Sequence, residues 1–291
     1  MPAVLLATCA ALPDGDEDGD VLLDALNRAG VTARWAAWTD PDVRWADALV
    51  VLRSTWDYTA GRDAYLAWVR KLPRVANDAA VVAWNTDKLY LQDLEAAGVP
   101  IVPTAFVTPG EVAPLPGYGQ FVVKPSVGAG SRGAGRFSAG RDDAAQRHVA
   151  HLHDAGRVVL VQPYLDAVDT AGETALIYLD GTFSHAIVKG AMLPPGITHP
   201  VHGRELYVEE RIDRRTPSAE ELAVGAAAMA AIRARFGADQ LYTRVDLLPS
   251  PNGPVVIEIE LTEPSLFLQY GPVEAPTRPA DTFATAIAAR T

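Results

Sequence analysis

Residues 241–260 read LYTRVDLLPSPNGPVVIEIE, which is two apolar-rich segments joined by the turn letters PNG. This pattern predicts two neighbouring antiparallel strands. Because successive side chains point to opposite faces of a strand, Arg244 and Asp246 share a face of the first strand. Glu258 and Glu260 share a face of the second strand in the same way. We therefore expect three carboxylates to converge on one surface of a sheet.

Like charges on neighbouring strands repel each other, so Asp246, Glu258 and Glu260 are unfavourable together unless a cation lies between them. Mg²⁺ takes carboxylate oxygens together with the phosphate oxygens of a substrate. A solvent-facing acidic surface is the alternative, although the apolar residues between the carboxylates require at least one buried face. The stretch predicts a metal site.

The residues around this hairpin predict an α/β protein with α+β character in its C-terminal half. Residues 1–83 alternate short apolar runs with helical periodicity, which indicates an N-terminal α/β domain on the substrate side. Its predicted strands are 3–8 and 48–52, and its predicted helices are 20–29 and 64–72.

Two further subdomains follow. Residues 84–165 carry a glycine-rich loop, and residues 166–291 carry the acidic hairpin. The predicted elements of the first are helices 87–97 and 142–155 and strands 120–124 and 157–161. Those of the second are strands 174–179, 183–188, 241–248 and 255–260 and helices 218–236 and 282–290. Residues 99–104 contain two prolines and are expected to be a linker or an edge.

Composition excludes several classes of protein. The 291-residue chain is 49% hydrophobic, which is enough for a large core. Its net charge is −11 with no basic run, so a nucleic-acid partner is not expected. No apolar run reaches the roughly 20 residues that span a bilayer, so no membrane partner is expected. The single Cys9 favours a reducing compartment, and we expect a cytoplasmic protein. The sequence leaves a homo-oligomer open.

Two lysines and a loop indicate a phosphate site. Lys88 follows the letters WNTD, and Lys124 closes the apolar strand FVV. The loop at 128–135 reads GAGSRGAG, and small residues can turn backbone N–H groups toward phosphate oxygens. It lacks the Gly-Lys-Ser/Thr ending of a P-loop. Lysines that reach solvent and a plain flexible loop are the alternatives.

Other polar residues are candidates for substrate binding. The segment 53–58, RSTWDY, follows a predicted strand, and open α/β sheets bind ligands at the carboxyl ends of their strands. Its candidates are Arg53, Ser54, Thr55 and Asp57. Glu263 either contacts substrate or shapes a turn. Arg204 lies in a long loop at 192–207, for which a substrate lid and a plain flexible loop both stay open, and it is a carboxylate clamp or a surface residue.

Histidines fall into two groups. His185 shares a strand face with Lys189, and either side chain could approach a phosphate. His148, His151 and His153 lie on a polar helix without a paired carboxylate motif. We interpret these three as a solvated face rather than a zinc site.

The order of these motifs over residues 87–265 resembles that of the ATP-grasp superfamily. The resemblance implies two α+β subdomains that clamp Mg-ATP behind an N-terminal domain. Lys88 and Lys124 would hold the α- and β-phosphates. The loop would close over the phosphates, and its implied contacts are Ser126, Gly128, Gly130, Ser131 and Gly133.

The resemblance also implies the remaining ligands of ATP. Backbone groups in the segment QPYL would bind adenine, namely those of Gln162, Pro163, Tyr164 and Leu165. Glu173 would hold the ribose. Two Mg²⁺ ions would be bound by Asp246, Glu258 and Glu260. Arg244 and Lys189 would be catalytic and would steady the transferred phosphoryl group.

The segment EIELTEP, residues 258–264, is similar to the metal strand of glutathione synthetase and of ribosomal-protein glutamate ligases. Those enzymes usually have Asn where Glu260 stands, which puts their substrates in doubt for this chain. The segments RSTWDY, WNTDK, FSHA and LTEPSL look closer to a small group that includes the cycloserine-forming cyclo-ligase. That resemblance implies ATP-driven ring closure of O-ureido-D-serine.

Three functions are consistent with these residues. The first is a carbon–nitrogen ligase or cyclo-ligase that phosphorylates a carboxylate or carbonyl of a small amino-acid-like substrate. The second is an ATP-grasp phosphotransferase that stops at the phosphorylated product. The third is a nucleotide-binding module without turnover.

Overall fold

The computed structural model of the chain describes residues 3–117, 119–191, 193, 211–272 and 277–291. The strands in these ranges form three sheets, which follow one another along the chain. None of the helices in the same ranges combines the length and the apolar character needed to cross a bilayer.

The N-terminal sheet is parallel, because its central strands are apolar runs buried on both faces. Its strands are β1 (Val4–Thr8), β2 (Ala33–Ala37), β3 (Leu49–Ser54) and β4 (Val75–Ala76), in the order β2-β1-β3-β4. Its helices are α1 (Gly19–Arg28), α2 (Arg62–Val69) and α3 (Ala79–Asn85). The sequence did not predict β2, an edge strand with one fully buried residue, or the two-residue β4.

The central sheet is antiparallel and contains the hairpin that carries the glycine-rich loop. Its strands are β5 (Ala105–Val107), β6 (Gln120–Pro125), β7 (Gly135–Ser138) and β8 (Val159–Pro163), in the order β5-β8-β6-β7. Helices α4 (Tyr90–Ala96) and α5 (Asp142–Asp154) belong to this part of the chain. Residues 99–104 contribute only an isolated bridge from Ile101 to Val256, which confirms the linker prediction.

The C-terminal sheet is antiparallel throughout. Its strands are β9 (Glu173–Leu179), β10 (Thr182–Lys189), β11 (Ile212–Arg215), β12 (Tyr242–Leu248) and β13 (Val255–Glu260), in the order β11-β10-β9-β12-β13. The helices are α6 (Val168–Ala171), α7 (Ala219–Phe236) and α8 (Pro279–Ala288). The predicted acidic hairpin is confirmed, because Arg244 pairs with Glu260 and Asp246 with Glu258.

Two buried asparagines join the N-terminal part of the chain to the C-terminal sheet. Asn77 donates from Nδ2 to the carbonyls of Tyr242 at 3.0 Å and Leu261 at 2.8 Å. Asn85 donates to the carbonyl of Ile259 at 2.6 Å. An apolar cluster continues from β1 and β3 into β9 and α8. This docking places the carboxyl ends of β1 and β3 over the loop that follows β13.

Candidate active site

Two adjoining cavities lie where the three sheets meet. The smaller has a volume of about 170 Å³ and the larger about 940 Å³. They share one wall, formed by Lys88, Arg244, Glu258, Glu260 and the beginning of the glycine-rich loop. Any group bound in one cavity can therefore meet a group bound in the other at these charged side chains.

The smaller cavity collects the residues that the sequence assigned to nucleotide, metal and phosphate. All of them line it except Ser126 and Gly133. The Ser126 backbone joins two neighbouring segments, since its N–H donates to the Val158 carbonyl at 2.8 Å and its carbonyl accepts from the Lys88 N–H at 2.9 Å. The Gly133 carbonyl lies 2.9 Å from Nε2 of His148. These two residues support the loop from behind.

The two lysines have different surroundings. Burial lowers the pKa of Lys124 to about 8. Among the described residues, no hydrogen bond or ion pair reaches its ammonium. Lys88 lies 2.8 Å from Glu258 Oε1 and donates to the Gly128 carbonyl at 2.7 Å. Burial disfavours its charge, but the Glu258 carboxylate raises the pKa of Lys88 above its usual value. Lys124 is thus suited to receive an anion from outside the chain.

Asp246 is held between two cations. Lys189 Nζ and Arg244 Nη2 each donate to its Oδ2 at 2.8 Å, and Lys189 also pairs with Glu173. Although burial disfavours the charged form, Arg244 and Lys189 lower the pKa of Asp246 well below its usual range. The carboxylate therefore stays ionised throughout the neutral range.

Among the three carboxylates, Glu260 has an environment that disfavours its negative charge. It pairs with Arg244 across the strand pair. Burial, together with repulsion from Glu258 and Asp246, raises the pKa of Glu260 to about 7 despite the attraction of Arg244. A divalent cation at this wall would relieve that repulsion, and carboxylate oxygens are the donors that Mg²⁺ prefers.

The predicted metal site is not preformed. In the ranges that the structure describes, no three His, Cys, Asp or Glu side chains are gathered around one point as metal ligands. The carboxylates instead face Lys88, Lys189 and Arg244. The three carboxylates are chemically suited to Mg²⁺, and all of them line the smaller cavity. To bind the metal, they would have to give up their ion pairs with the lysine and arginine side chains.

Residues 162–165, called the hinge below, line the smaller cavity. One of the backbone groups predicted to bind adenine makes a hydrogen bond within the protein instead. The Tyr164 N–H donates to the Gln120 carbonyl at 2.8 Å. The Gln162 side chain donates to Thr104 Oγ1 at 2.8 Å. The guanidinium of Arg136 stacks over the Tyr164 ring, 3.4 Å from its centroid. The sequence did not single out Arg136, whose role depends on the β6–β7 hairpin.

The larger cavity is lined by loops from all three sheets. Glu263 lines it as predicted and is 7% exposed. Burial and the neighbouring Glu260 raise the pKa of Glu263 well above its usual range. The acidic loop after β1, with Asp16, and Trp56 after β3 also line this cavity. The sequence analysis included Trp56 only as part of the segment 53–58, and it missed the acidic loop, although the letters DGDEDGD at 14–20 are a visible signal.

The structure corrects the expectation for Arg53. Its side chain is fully buried and lines neither cavity. It donates to the Pro264 carbonyl at 2.9 Å and lies 3.5 Å from the carboxylates of Asp16 and Asp18. Arg53 therefore fixes the loops that form the larger cavity instead of reaching into it.

Three further candidates of the same segment also point away from the cavities. Their side chains contact the N-terminal domain: Ser54 with Thr8 at 2.9 Å, Thr55 with Tyr65 at 2.9 Å, and Asp57 with Trp38 at 2.7 Å. The cavity is lined by the residues between them, Trp56 and Tyr58. The turn after β3 rotates the segment so that its aromatic side chains face the ligand space.

His185 is also corrected. Its Nε2 lies 2.9 Å from the Leu266 carbonyl and 3.1 Å from the Phe267 carbonyl, and the ring is buried outside both cavities. Burial lowers the pKa of His185 to about 4. The histidine therefore holds the loop after β13 and does not approach a phosphate. Within the loop at 192–207, Leu193 is described by the structure. Arg204 and the rest of this loop lie outside the described residues.

An arginine that the sequence analysis passed over connects the loop to the N-terminal domain. Arg132 donates from Nη2 to the Trp56 carbonyl and to Thr59 Oγ1, both at 2.8 Å. The glycine-rich loop is thereby tied to the segment that lines the larger cavity. No local signal distinguishes Arg132 from an exposed loop residue.

Comparisons with known proteins agree with this geometry. A family model described as the N-terminal domain of D-cycloserine synthetase DcsG matches residues 4–77. The chain is 38% identical over 286 residues to the cycloserine biosynthesis protein DcsG of Streptomyces lavendulae, covering 93% of this chain and 94% of that protein.

Solved structures extend the comparison to the fold. The crystal structure of D-cycloserine synthetase DcsG superposes with a TM-score of 0.87 at 37% identity, covering 99% of each chain. The ATP-grasp ligase PsnB, complexed with a minimal precursor, has a TM-score of 0.61 at 17% identity, covering 100% of this chain and 99% of that one. The second likeness shows the fold alone. The chain therefore belongs to the family of the cycloserine biosynthesis protein DcsG and is an ATP-grasp ligase.

Proposed function

We propose that this ligase uses Mg-ATP to activate the carboxylate of a small amino-acid-like substrate, and that it closes O-ureido-D-serine to D-cycloserine. The observation that carries the proposal is the shared wall of the two cavities, where Lys88, Arg244, Glu258 and Glu260 border both spaces. The similarity to DcsG over nearly the whole chain supports the choice of substrate.

ATP occupies the smaller cavity in this proposal. The adenine lies at the 162–165 hinge, and the phosphates extend toward Lys124 and the glycine-rich loop. Lys124 supports this orientation, because a buried ammonium gains most from a multiply charged anion. The γ-phosphate then reaches the shared wall.

Asp246, Glu258 and Glu260 would hold Mg²⁺, with two ions proposed. The metal would supply charge neutralisation for the transferred phosphoryl group. Lys189 and Arg244, which pair with Asp246 in this structure, are the cations on this chain that would contact the phosphate oxygens.

The acceptor occupies the larger cavity. Its carboxylate oxygen attacks the γ-phosphorus and ADP leaves, which yields an acyl phosphate. The ureido nitrogen that is bonded to oxygen then attacks the acyl carbon, and phosphate leaves as the ring closes. Water then cleaves the carbamoyl group from that nitrogen, so that D-cycloserine is left and the carbamoyl group departs as carbon dioxide and ammonia. Lys88 and Arg244 neutralise the charge that develops on oxygen. The Arg132 contacts keep the loop closed, so that water does not hydrolyse the intermediate.

Coupled ADP release tests the proposal with O-ureido-D-serine and a panel of amino acids. We expect ADP and phosphate release with O-ureido-D-serine, and a product whose mass is that of D-cycloserine. The control is an Asp246→Asn, Glu258→Gln double variant, whose turnover should be lost.

Other outcomes favour the alternatives. Release of ADP with a stable phosphorylated product would favour a phosphotransferase. ATP binding without ADP release on any substrate would favour a nucleotide-binding module. Two substrates joined in one product would keep the ligase but reject the cyclisation.

A further inference from the structure

The larger cavity is strongly acidic. It has two basic residues in the described part of its lining, Lys88 and Arg244. Its acidic residues are Asp16, Glu17, Asp18, Glu258, Glu260 and Glu263. A purely anionic acceptor would be repelled by most of this surface. The cavity is therefore better suited to a ligand that carries a positive charge besides the carboxylate that reacts.

Most of these carboxylates already have partners within the protein. Asp18 accepts from the Leu266 N–H at 2.9 Å and the Leu268 N–H at 2.6 Å. Glu258 pairs with Lys88 and Glu260 with Arg244. Asp16 lies 3.5 Å from the Arg53 guanidinium.

Glu263 differs from these four carboxylates because it has no partner among the described residues, and from Glu17 because Glu17 is exposed. It is 7% exposed, and its carboxyl group makes no hydrogen bond or ion pair with any residue in the described ranges. A carboxyl group that is mostly buried and has no partner within the protein loses part of its hydration, which is unfavourable. Such a group indicates a partner that is not part of the chain.

The backbone around Glu263 is fixed, so its side chain is presented in a defined place. Its carbonyl accepts from Trp56 Nε1 at 3.0 Å. The preceding Thr262 donates from its N–H to Asn85 Oδ1 at 3.1 Å. Both Trp56 and Asn85 come from the N-terminal side of the cavity. The backbone from which the Glu263 side chain extends into the cavity is therefore in place before any ligand arrives.

The aromatic lining specifies what kind of cation fits. Trp56, Tyr58 and Phe267 line the same cavity as Glu263. Aromatic faces attract organic ammonium groups, whereas a divalent metal needs several oxygen ligands. The carboxyl group and the aromatic surfaces together match a primary ammonium.

We propose that Glu263 binds the α-ammonium group of the acceptor and makes the enzyme selective for substrates with a free amino group. This inference rests on the proposed function, since it places the acceptor in the larger cavity. With the ammonium at Glu263, the acceptor carboxylate is directed to Lys88 and Arg244 at the shared wall. Glu263 is thus a specificity-determining residue of the ligase.

A pair of substrates isolates this contact. O-Ureido-D-serine is compared with 3-(ureidooxy)propanoate, which lacks only the amino group. A charge-assisted hydrogen bond corresponds to roughly 10- to 100-fold in affinity, so the wild type should prefer the amino compound by about that factor in kcat/KM. In Glu263→Gln the preference should shrink below about 5-fold. The KM for the amino compound should rise while the KM for ATP stays unchanged.

Controls separate charge from position. Glu17→Gln removes one negative charge from the lining of the same cavity and should keep the wild-type preference. Glu263→Asp retains a carboxyl group that can pair with an ammonium and should restore part of the preference lost in Glu263→Gln. A wild type that accepts both compounds equally, or a Glu263→Gln variant that keeps the full preference, would overturn the proposal.

Calorimetric binding of the two compounds, with a non-hydrolysable ATP analogue bound, distinguishes this inference from the proposed function. If turnover is absent but the wild type still binds the amino compound more tightly and Glu263→Gln does not, the proposed reaction fails and the ammonium site stands. If Glu263→Gln does not fold, the wild-type comparison and Glu263→Asp decide the question.

Discussion

The two cavities of this ligase are built in different ways. The smaller is formed mainly by the ends of strands β6, β8, β9, β10, β12 and β13, whose neighbours are set by hydrogen-bonded register. The larger is formed mainly by loops that belong to different sheets and meet only when those sheets dock. The difference teaches that strand alternation locates chemistry reliably, whereas loop direction depends on distant contacts.

The largest expected effect comes from a substitution at Asp246 in the smaller cavity, which is formed by strands. Asp246→Asn keeps the side-chain shape but removes the charge between Lys189 and Arg244. We expect roughly a thousandfold loss of ADP release, because the metal would lose one of its carboxylate ligands. Thermal unfolding should also shift downward, since two buried cations lose an anion. A variant that retains a tenth of the wild-type rate would contradict this role of Asp246.

The next effect tests the loop-built cavity. Arg53→Met leaves Asp16 and Asp18 buried without their cation, so the free energy of unfolding should fall by about 3–5 kcal/mol. In protein that remains folded, the acceptor KM should rise while the dissociation constant of ATP stays close to that of the wild type. Denaturant unfolding and nucleotide titration measure the two effects. If the affinities for the acceptor and for ATP fell by the same factor, the two cavities would not be built independently.

The pH dependence of folding stability tests how His185 holds the loop after β13, which borders the larger cavity. Burial lowers the pKa of His185 to about 4, below its unfolded value of 6.5. Between these values the unfolded chain binds a proton that the folded chain does not, so stability is complete above pH 6.5 and decreases as the pH falls toward 4.

We expect the wild type to lose about 1–2 kcal/mol from this residue between pH 6.5 and pH 5. His185→Gln can still donate to the Leu266 carbonyl and should lose less over the same interval. Urea unfolding at both pH values measures the difference. Identical pH profiles would show that His185 does not hold the loop as a neutral ring.

The smallest expected effect concerns the link between the cavities. Arg132→Ala removes two hydrogen bonds at 2.8 Å that tie the glycine-rich loop to the N-terminal domain. We expect a three- to tenfold lower kcat and more ADP release without product, because water reaches the intermediate. Stability should change by less than about 1 kcal/mol. The ratio of ADP to product measures the coupling, and an unchanged ratio would show that the loop closes without Arg132.

Sequence patterns anticipated the strand-built region because its rules are local. The alternation in residues 241–260 predicts that Asp246, Glu258 and Glu260 converge, and the structure adds the register that pairs Asp246 with Glu258. The start of α7 is also encoded locally, because Ser218 and Glu221 form a capping box. Strands that lie at edges or contain two residues, such as β2 and β4, carry too little apolar pattern to be recognised.

The loop-built region could not be anticipated in the same detail. The sequence correctly marked the segment after β3, but it selected Arg53 where the cavity is lined by Trp56 and Tyr58. It marked Glu263, but not that its carboxyl group is enclosed without a partner. It did not mark Arg132 at all, since nothing local shows which carbonyls a loop arginine will reach.

By itself, therefore, the sequence determined the strand faces, the helix ends and the type of chemistry on the shared wall, because these follow from side-chain alternation and residue type. Only the tertiary structure decided which side chains line the larger cavity, which charges are paired and which carboxyl group is left for a ligand. These outcomes depend on the docking of Asn77 and Asn85 against β12, β13 and the residues that follow, across more than 160 residues of chain. Local patterns carry no information about contacts at that separation.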